Sequence, residues 1–150
     1  MLLRGYFLSQ AFREDKSMRY HEFIDRVQKL AGLESLDDAV RATEATIETL
    51  SERLSKTERD KLAAQLSKEL KELFLRRHNT ERFLLEDFYS RVSARANVRY
   101  HRAVELAQAV AAELREAISP GELEDILSEL PDEYGELFGV KPKGPLSPSV

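Results

Sequence analysis

Glutamates recur at matched positions in two parts of the chain, and their carboxylate groups could bind a metal ion or transfer protons. Glu58 and Glu69 lie in SKTERDKLAAQLSKELKELF, and Glu122 and Glu133 lie 64 residues later in SPGELEDILSELPDEYGELF. Recurrent carboxylates can ligate a hard metal ion or act as general acid and general base. A metal or acid–base site is therefore the first functional hypothesis for these residues.

The spacing of the same residues also has a structural interpretation. Ser55 and Ser119 each stand three residues before a glutamate, which is the pattern of a helix capping box. In that motif the serine accepts the backbone N–H of the glutamate, which in turn accepts the N–H of the serine. Glu69 and Glu133 would then be solvated beside a helix N-terminus, where negative charge is favourable. We favour this interpretation because it explains the spacing without a further assumption.

Basic residues are concentrated between the two glutamate-containing segments. Residues 76–102 contain seven arginines and three acidic residues, whereas residues 122–136 contain seven acidic residues and no basic one. The basic segment predicts a patch that could bind a phosphate-bearing or nucleic-acid partner through four arginines: Arg91, Arg95, Arg99 and Arg102. The alternative, which we favour, is that the basic and acidic segments neutralise each other within the molecule or across a dimer, or are solvated. The formal net charge of −4 disfavours a nucleic-acid partner.

The other residue types that support catalysis or metal binding give no recognisable site. No two of the three histidines, His21, His78 and His101, are three or four residues apart, so a helical metal-binding pair is excluded. The chain has no cysteine, which excludes disulfides and thiolate ligands and fits a reducing cytoplasm. Nucleotide-binding glycine loops, a nucleophile elbow and an EF-hand loop are also missing. We therefore predict no enzyme activity, no catalytic residue, no cofactor and no metal.

The elements that position these residues are predicted to be helices. The apolar residues of two segments follow the same 3-4-3-4 spacing, which makes one stripe on a helix. The two stripes are Val40, Thr43, Ile47, Leu50, Leu54 and Val104, Ala107, Ala111, Leu114, Ile118. Gly32 and Asn97 are the expected left-handed residues after the helices 20–31 and 85–96. The longest apolar runs fall well short of the ~20 residues that cross a bilayer, so no membrane segment is predicted.

The matching segments extend over most of the chain and indicate an internal duplication. We predict an all-α fold of about eight helices in two pseudo-symmetric four-helix units, with repeats at about 20–74 and 85–138. Each repeat alone would bury too little apolar surface for comfortable stability, so the repeats should share one core. Residues 1–17 are predicted to be an extension or arm, residues 18–138 a single duplicated domain, and residues 139–150 a disordered tail.

Four phrases resemble the bacterial domain-of-unknown-function family 2267 over roughly residues 18–138: YHEFIDRVQKLAGL, LAAQLSKELKELF, LEDFYSRV and SPGELEDILSELPDEYGELF. The resemblance implies a duplicated, all-helical cytoplasmic protein, and it brings no activity or binding residue. The sequence departs from the family pattern at Leu84, where a serine-like cap is expected, so that helix should be capped differently.

The combined expectation is a cytoplasmic, non-enzymatic interaction or regulatory module. It rests on the duplication, the missing catalytic motifs and the segregated charge. A protein partner or self-association is expected. The alternative is a binder of nucleic acid or of a phosphate-bearing ligand through residues 76–102.

Overall fold

The computed structural model describes residues 19–76 and 79–140. Within these ranges the chain forms eight α-helices, one short 3-10 helix and no strand, which confirms the prediction of an all-α protein of about eight helices. The α-helices are α1 Tyr20–Ala31, α2 Leu36–Arg53, α3 Lys56–Ala63, α4 Lys68–Leu75, α5 Leu85–Ala96, α6 Tyr100–Ala117, α7 Pro120–Glu129 and α8 Gly135–Phe138, with the 3-10 helix at Asp132–Tyr134.

Local sequence signals set most of the helix ends. Gly32 and Asn97 both adopt the left-handed conformation after α1 and α5, with φ of 64° and 57°, as predicted. Ser35 caps α2 by accepting the backbone N–H of Asp38 at 3.1 Å, and Ser67 caps α4 in the same way. The chain therefore turns where its short polar residues and glycine allow it to turn.

The start of α5 is capped by a residue distant in sequence. Leu84 occupies the N-cap position and offers no polar side chain. Glu133 supplies the missing acceptor, because its Oε2 accepts the N–H of Leu85 at 2.7 Å. The expectation of a different cap at Leu84 is thus confirmed. Glu133 is exposed beside a helix N-terminus as expected, but that helix is α5.

The predicted apolar stripes of α2 and α6 form the centre of the core. Eight of their ten residues are buried, and the first residue of each stripe, Val40 and Val104, is partly buried. α2 packs against α1, α4, α5 and α6, while α6 packs against α1, α2, α5 and α8. A single cluster of buried side chains runs through all of these helices. The core is therefore shared along the whole described chain.

The last helical segment begins in a different way from α4. Pro131 precedes a 3-10 turn, and only then does the chain form the four-residue helix α8. Gly139 ends α8 with φ of 67°, and the N–H of Val140 donates to the carbonyl oxygen of Gly135 at 2.8 Å. These two residues belong to the described chain, although we predicted the tail from position 139. The predicted arm at 1–17, the remainder of the tail at 141–150, and His78 lie outside the described residues.

Candidate functional site

Two of the four predicted patch arginines are held by one buried glutamate. Arg95 on α5 makes a two-pronged ion pair with Glu52 on α2, with N–O distances of 2.9 and 2.7 Å. Arg91, one turn earlier, approaches the same carboxylate at 3.1 Å and Glu81 at 3.0 Å. The Glu52 side chain is only 4% exposed. A buried carboxylate that accepts two guanidinium groups needs both of them, so these arginines have a structural role.

Arg91, together with Arg53 and Arg59, holds the connector between α4 and α5 and the end of α2. The guanidinium of Arg91 lies 3.9 Å from the ring centroid of Phe83, a cation–π contact. Arg53 donates from Nε to the carbonyl oxygen of Phe83 at 2.8 Å. Arg59 donates to the carbonyl oxygens of Ser51 and Leu54 at 3.0 and 2.6 Å. Buried arginines thus donate hydrogen bonds to backbone carbonyl oxygens that have no N–H donor from the next turn of a helix.

The other two patch arginines lie at the start of α6. Arg102 donates to the carbonyl oxygen of Ala31 at 2.9 Å and pairs with Glu105 at 2.7 Å. Arg99 is the N-cap residue of α6 and is exposed. The structure thus joins Arg91 and Arg95 through Glu52 on α2, whereas Arg102 contacts the end of α1.

The recurrent glutamates Glu58 and Glu122 meet each other between α3 and α7. Each is the third residue of its helix, and its backbone N–H donates to the N-cap serine at 3.1 Å. This half of each predicted capping box is confirmed. The two glutamate side chains are only 7% and 3% exposed. Their acidic groups therefore lie in the interface between the two helices.

The reciprocal half of each predicted capping box is wrong. The N–H of Ser55 donates to Glu129 at 3.0 Å, and the N–H of Ser119 donates to Gln65 at 2.8 Å. Both serine N–H groups are thus satisfied across the interface by the opposite helix or its flank. Glu58 and Glu122 lose their capping partners for this reason. Their Oε2 atoms are buried and have no hydrogen-bond partner among the described residues.

One lysine and one aspartate complete this group, which we call the carboxylate cluster: Glu58, Glu122, Asp125 and Lys61. The three carboxylates offer oxygens within 4.8 Å of one another, a spacing that a metal ion could use. The ammonium group of Lys61 lies among them, 2.6 Å from Asp125 and 3.6 and 3.9 Å from the two glutamates. A cation from the chain itself already faces these three carboxylates.

Electrostatics in the cluster favour a bound proton. Burial, reinforced by the adjacent carboxyl group and negative charge of Glu58, raises the pKa of Glu122 to about 8 from its ordinary 4.5. The positive charge of Lys61 lowers the pKa of Glu122, whereas the negative charge of Asp125 raises it further. The pKa of Lys61 is itself raised, first by its hydrogen bond to Asp125. Two carboxyl groups that share a dry site hold a proton more tightly than either would in water.

Of the histidines, the two that the structure describes, His21 and His101, do not join this cluster. His21 and His101 are exposed in the first turns of α1 and α6. In the described ranges, the one group of side chains with metal-binding spacing is formed by carboxylates alone.

Several residues that organise these sites carried no signal in the sequence. Glu52, Arg53 and Arg59 are charged and buried, each within 8% exposure. A charged residue beside an apolar stripe is normally solvated, and the contacts of Arg53 with Phe83 span 30 positions. Lys61 and Asp125 occupy matched positions 64 apart, and this matching could have suggested their contact.

Comparison with known proteins places the chain in a family. The family described as "Uncharacterized conserved protein (DUF2267)" matches residues 20–137. No curated protein matches the chain. None of the described helices combines the length and the apolar character needed to span a bilayer. Because the family match covers α1 through nearly all of α8, the chain belongs to the DUF2267 family of uncharacterized conserved proteins.

Proposed function

We propose that this protein is a cytoplasmic, non-enzymatic interaction or regulatory module built by internal duplication. Its two halves supply matched surfaces to a protein partner or to a second copy of the chain. The contacts between the halves support the duplication, and the exposed apolar residues support the interaction.

Several contacts support the duplication because they are exchanged by a shift of 64 residues. Adding 64 to Ser55 gives Ser119, and subtracting 64 from Glu129 gives Gln65. The hydrogen bond from Ser55 to Glu129 thus corresponds to the one from Ser119 to Gln65, and both are present. Likewise, Ser51 donates to the carbonyl oxygen of Phe74 and Arg115 donates to that of Phe138. Such pairs are expected of two repeats related by a two-fold axis.

The observation that carries the proposed interaction is a pair of matched apolar side chains on the surface. Leu36 opens α2 and is 53% exposed, and Tyr100 opens α6 and is 42% exposed. These positions are 64 residues apart. Leu30, 56% exposed, precedes the turn that leads to Leu36. Large apolar side chains left in water at matched positions favour association with another surface.

The test combines the oligomeric state with partner capture. The wild type should elute as a dimer or larger assembly in size-exclusion chromatography with light scattering, or should reproducibly retain one partner protein. The double variant Leu36→Ser/Tyr100→Ser should lose that association. Leu84→Ser, a change at a 59% exposed leucine outside the matched pair, is the control.

A monomeric wild type that retains no reproducible partner would reject the proposal. Equal association by wild type and double variant would reject the role assigned to the matched pair. Circular dichroism of each variant shows whether the fold is preserved.

The alternative, an anion- or nucleic-acid-binding function, receives less support from the contacts. Arg91 and Arg95 are engaged with Glu52, and Arg102 with Glu105 and Ala31, which leaves Arg99 as the exposed arginine of the predicted patch. An anisotropy titration with labelled DNA and RNA at low salt tests it. Binding that weakens steeply with salt would support this alternative.

A further inference from the structure

The contact between α3 and α7 combines burial with an excess of negative charge. If all its carboxyl groups were ionised, the carboxylate cluster would carry three negative charges against the one positive charge of Lys61. Lys61 is also closest to Asp125, the more exposed member, at 2.6 Å. The two buried glutamates are therefore the less well neutralised pair.

The backbone cannot relieve this charge. A glutamate at the third position of a helix normally reaches back to the N–H of its N-cap residue. Here Glu129 and Gln65 already accept those N–H groups. The Oε2 atoms of Glu58 and Glu122 are buried without a hydrogen-bond donor. Two buried acceptors without a donor point to an additional hydrogen between them.

The geometry points to a proton-dependent clasp: one proton shared by Glu58 and Glu122 holds α3 against α7, and its loss releases the contact. In the closed state, the O–H of one carboxyl group donates to an oxygen of the other carboxylate. When the proton leaves to solvent, two negative charges remain in a dry interface and repel each other.

Release of the clasp would change the packing of α7 against α3. α3 makes the most extensive helix contact of α7, while the larger packing of α2 with α5 and α6 lies elsewhere. Opening the clasp would therefore loosen the N-terminal part of α7, while Ile126 further along the helix stays packed in the core. This inference concerns how the two halves hold together, and it does not depend on a partner protein.

The sign of the pH dependence follows from the raised pKa of Glu122. The folded chain keeps a proton up to about pH 8, whereas the unfolded chain releases it near the ordinary 4.5. Folding is thus linked to proton binding between these values. The stabilising contribution is complete below pH 4.5 and is lost as the pH rises through 8.

Chemical denaturation across pH 5–9 measures this linkage. We expect the unfolding equilibrium constant of the wild type to rise by up to about tenfold per pH unit in the steepest part of the range. Glu122→Gln keeps the size of the side chain, donates from its amide to Glu58 and cannot titrate, so its curve should be flatter. Glu69→Gln, at an exposed first-turn glutamate of α4, should follow the wild-type curve.

A second measurement reports the contact directly and does not depend on stability. The chain has no cysteine, so spin labels can be placed at the exposed positions Thr57→Cys and Glu124→Cys. The distance between the labels should lengthen from pH 6 to pH 9 and should stay constant when Glu122→Gln is added.

Three results would overturn the clasp. The first is an unchanged label distance across that pH range in the otherwise wild-type chain. The second is a pH dependence of unfolding that Glu122→Gln leaves intact. The third is tight binding of Mn²⁺ to the chelator-treated protein at pH 7, lost in Glu58→Gln, because a metal ion would then take the place of the proton.

Discussion

At the scale of single residues, the molecule contains buried polar groups with and without partners. Thr43 and Thr46 are fully or nearly fully buried, and their Oγ1 atoms have no hydrogen-bond partner among the described residues. Thr49, on the same helix, donates to the carbonyl oxygen of Ala45 at 2.8 Å and accepts from Arg95 at 2.9 Å. Threonine on this helix thus stabilises the fold at position 49, where its hydroxyl is hydrogen-bonded. It costs stability at positions 43 and 46, where the hydroxyl is buried without a partner.

Replacing Thr43 with valine should stabilise the protein. Valine keeps the shape of the side chain and removes a buried hydroxyl without a partner, a gain of about 1 kcal/mol. Thr49→Val is the matched control and should destabilise by about 1–3 kcal/mol, since Arg95 loses an acceptor. Urea denaturation of the two variants checks the opposite signs. A loss of stability for Thr43→Val would mean that its hydroxyl has a partner in solution.

The arginines show why charge patterning in the sequence was an incomplete guide at this scale. The charge pattern predicted either a surface patch or neutralisation by the acidic segment 122–136, yet Arg91 and Arg95 turn to Glu52, which lies 39 and 43 positions away. Nothing local distinguishes Glu52 from a solvated glutamate. The partner of a long charged side chain is chosen by tertiary packing, which the one-dimensional charge count does not contain.

At the scale of elements, two glycines in short helices have opposite surroundings. A Cβ at Gly121 in α7 would meet nothing within 4 Å, whereas a Cβ at Gly135 in α8 would lie 2.8 Å from the carbonyl oxygen of Val140. The close approach at Gly135 comes from the turn that ends α8. Glycine is therefore replaceable in α7 and required in α8.

Alanine at these two glycines should shift the melting temperature in opposite directions. Gly121→Ala should raise Tm, because alanine is favoured over glycine inside a helix by about 0.5–1 kcal/mol. Gly135→Ala should lower Tm, since its Cβ would push the backbone of Val140 aside. Thermal melts followed by circular dichroism at 222 nm measure both. A neutral or positive shift for Gly135→Ala would contradict the described turn.

Helix ends were largely predictable, while the groups that complete them were not. Gly32 and Asn97 were recognised because a left-handed position has few suitable residues. The predicted apolar stripe of α2 ends at Leu54, one residue beyond the last helical residue, Arg53. By contrast, the partner of the Ser55 N–H is 74 positions away and that of Ser119 is 54 away. Because those distant residues accept the serine N–H groups, Glu58 and Glu122 contact each other instead. The carboxylate cluster could therefore not be predicted from the sequence.

At the scale of the whole molecule, helices of the two halves alternate in the core. α1 packs against α6 as well as α2, and α5 packs against α2 as well as α6. Arg91 and Arg95 on α5 both contact the last part of α2, at Glu52 and Thr49. Neither half keeps its buried surface when the other is removed.

Separated halves should consequently be unable to fold alone. Fragments 1–78 and 79–150 should each show low helicity and no cooperative melt, because each would expose one face of its long helix. Mixing the fragments should restore the helical signal, since the cut after position 78 leaves the buried Phe83 of the connector in the second fragment. The readout is ellipticity at 222 nm before and after mixing. A fragment that melts cooperatively alone would show instead two independent domains.

On the proposed duplication, Lys61 and Asp125 also bear on the history of the chain. Because 61 and 125 are matched positions in contact, in a symmetric pair of identical subunits the same residue would face itself there. Two lysines or two aspartates would repel each other, and no single gene product of half this length could place opposite charges at that point. On that proposal, fusion into one chain would have let these two positions diverge to opposite charges, whereas positions 58 and 122 both hold glutamate and can share a proton.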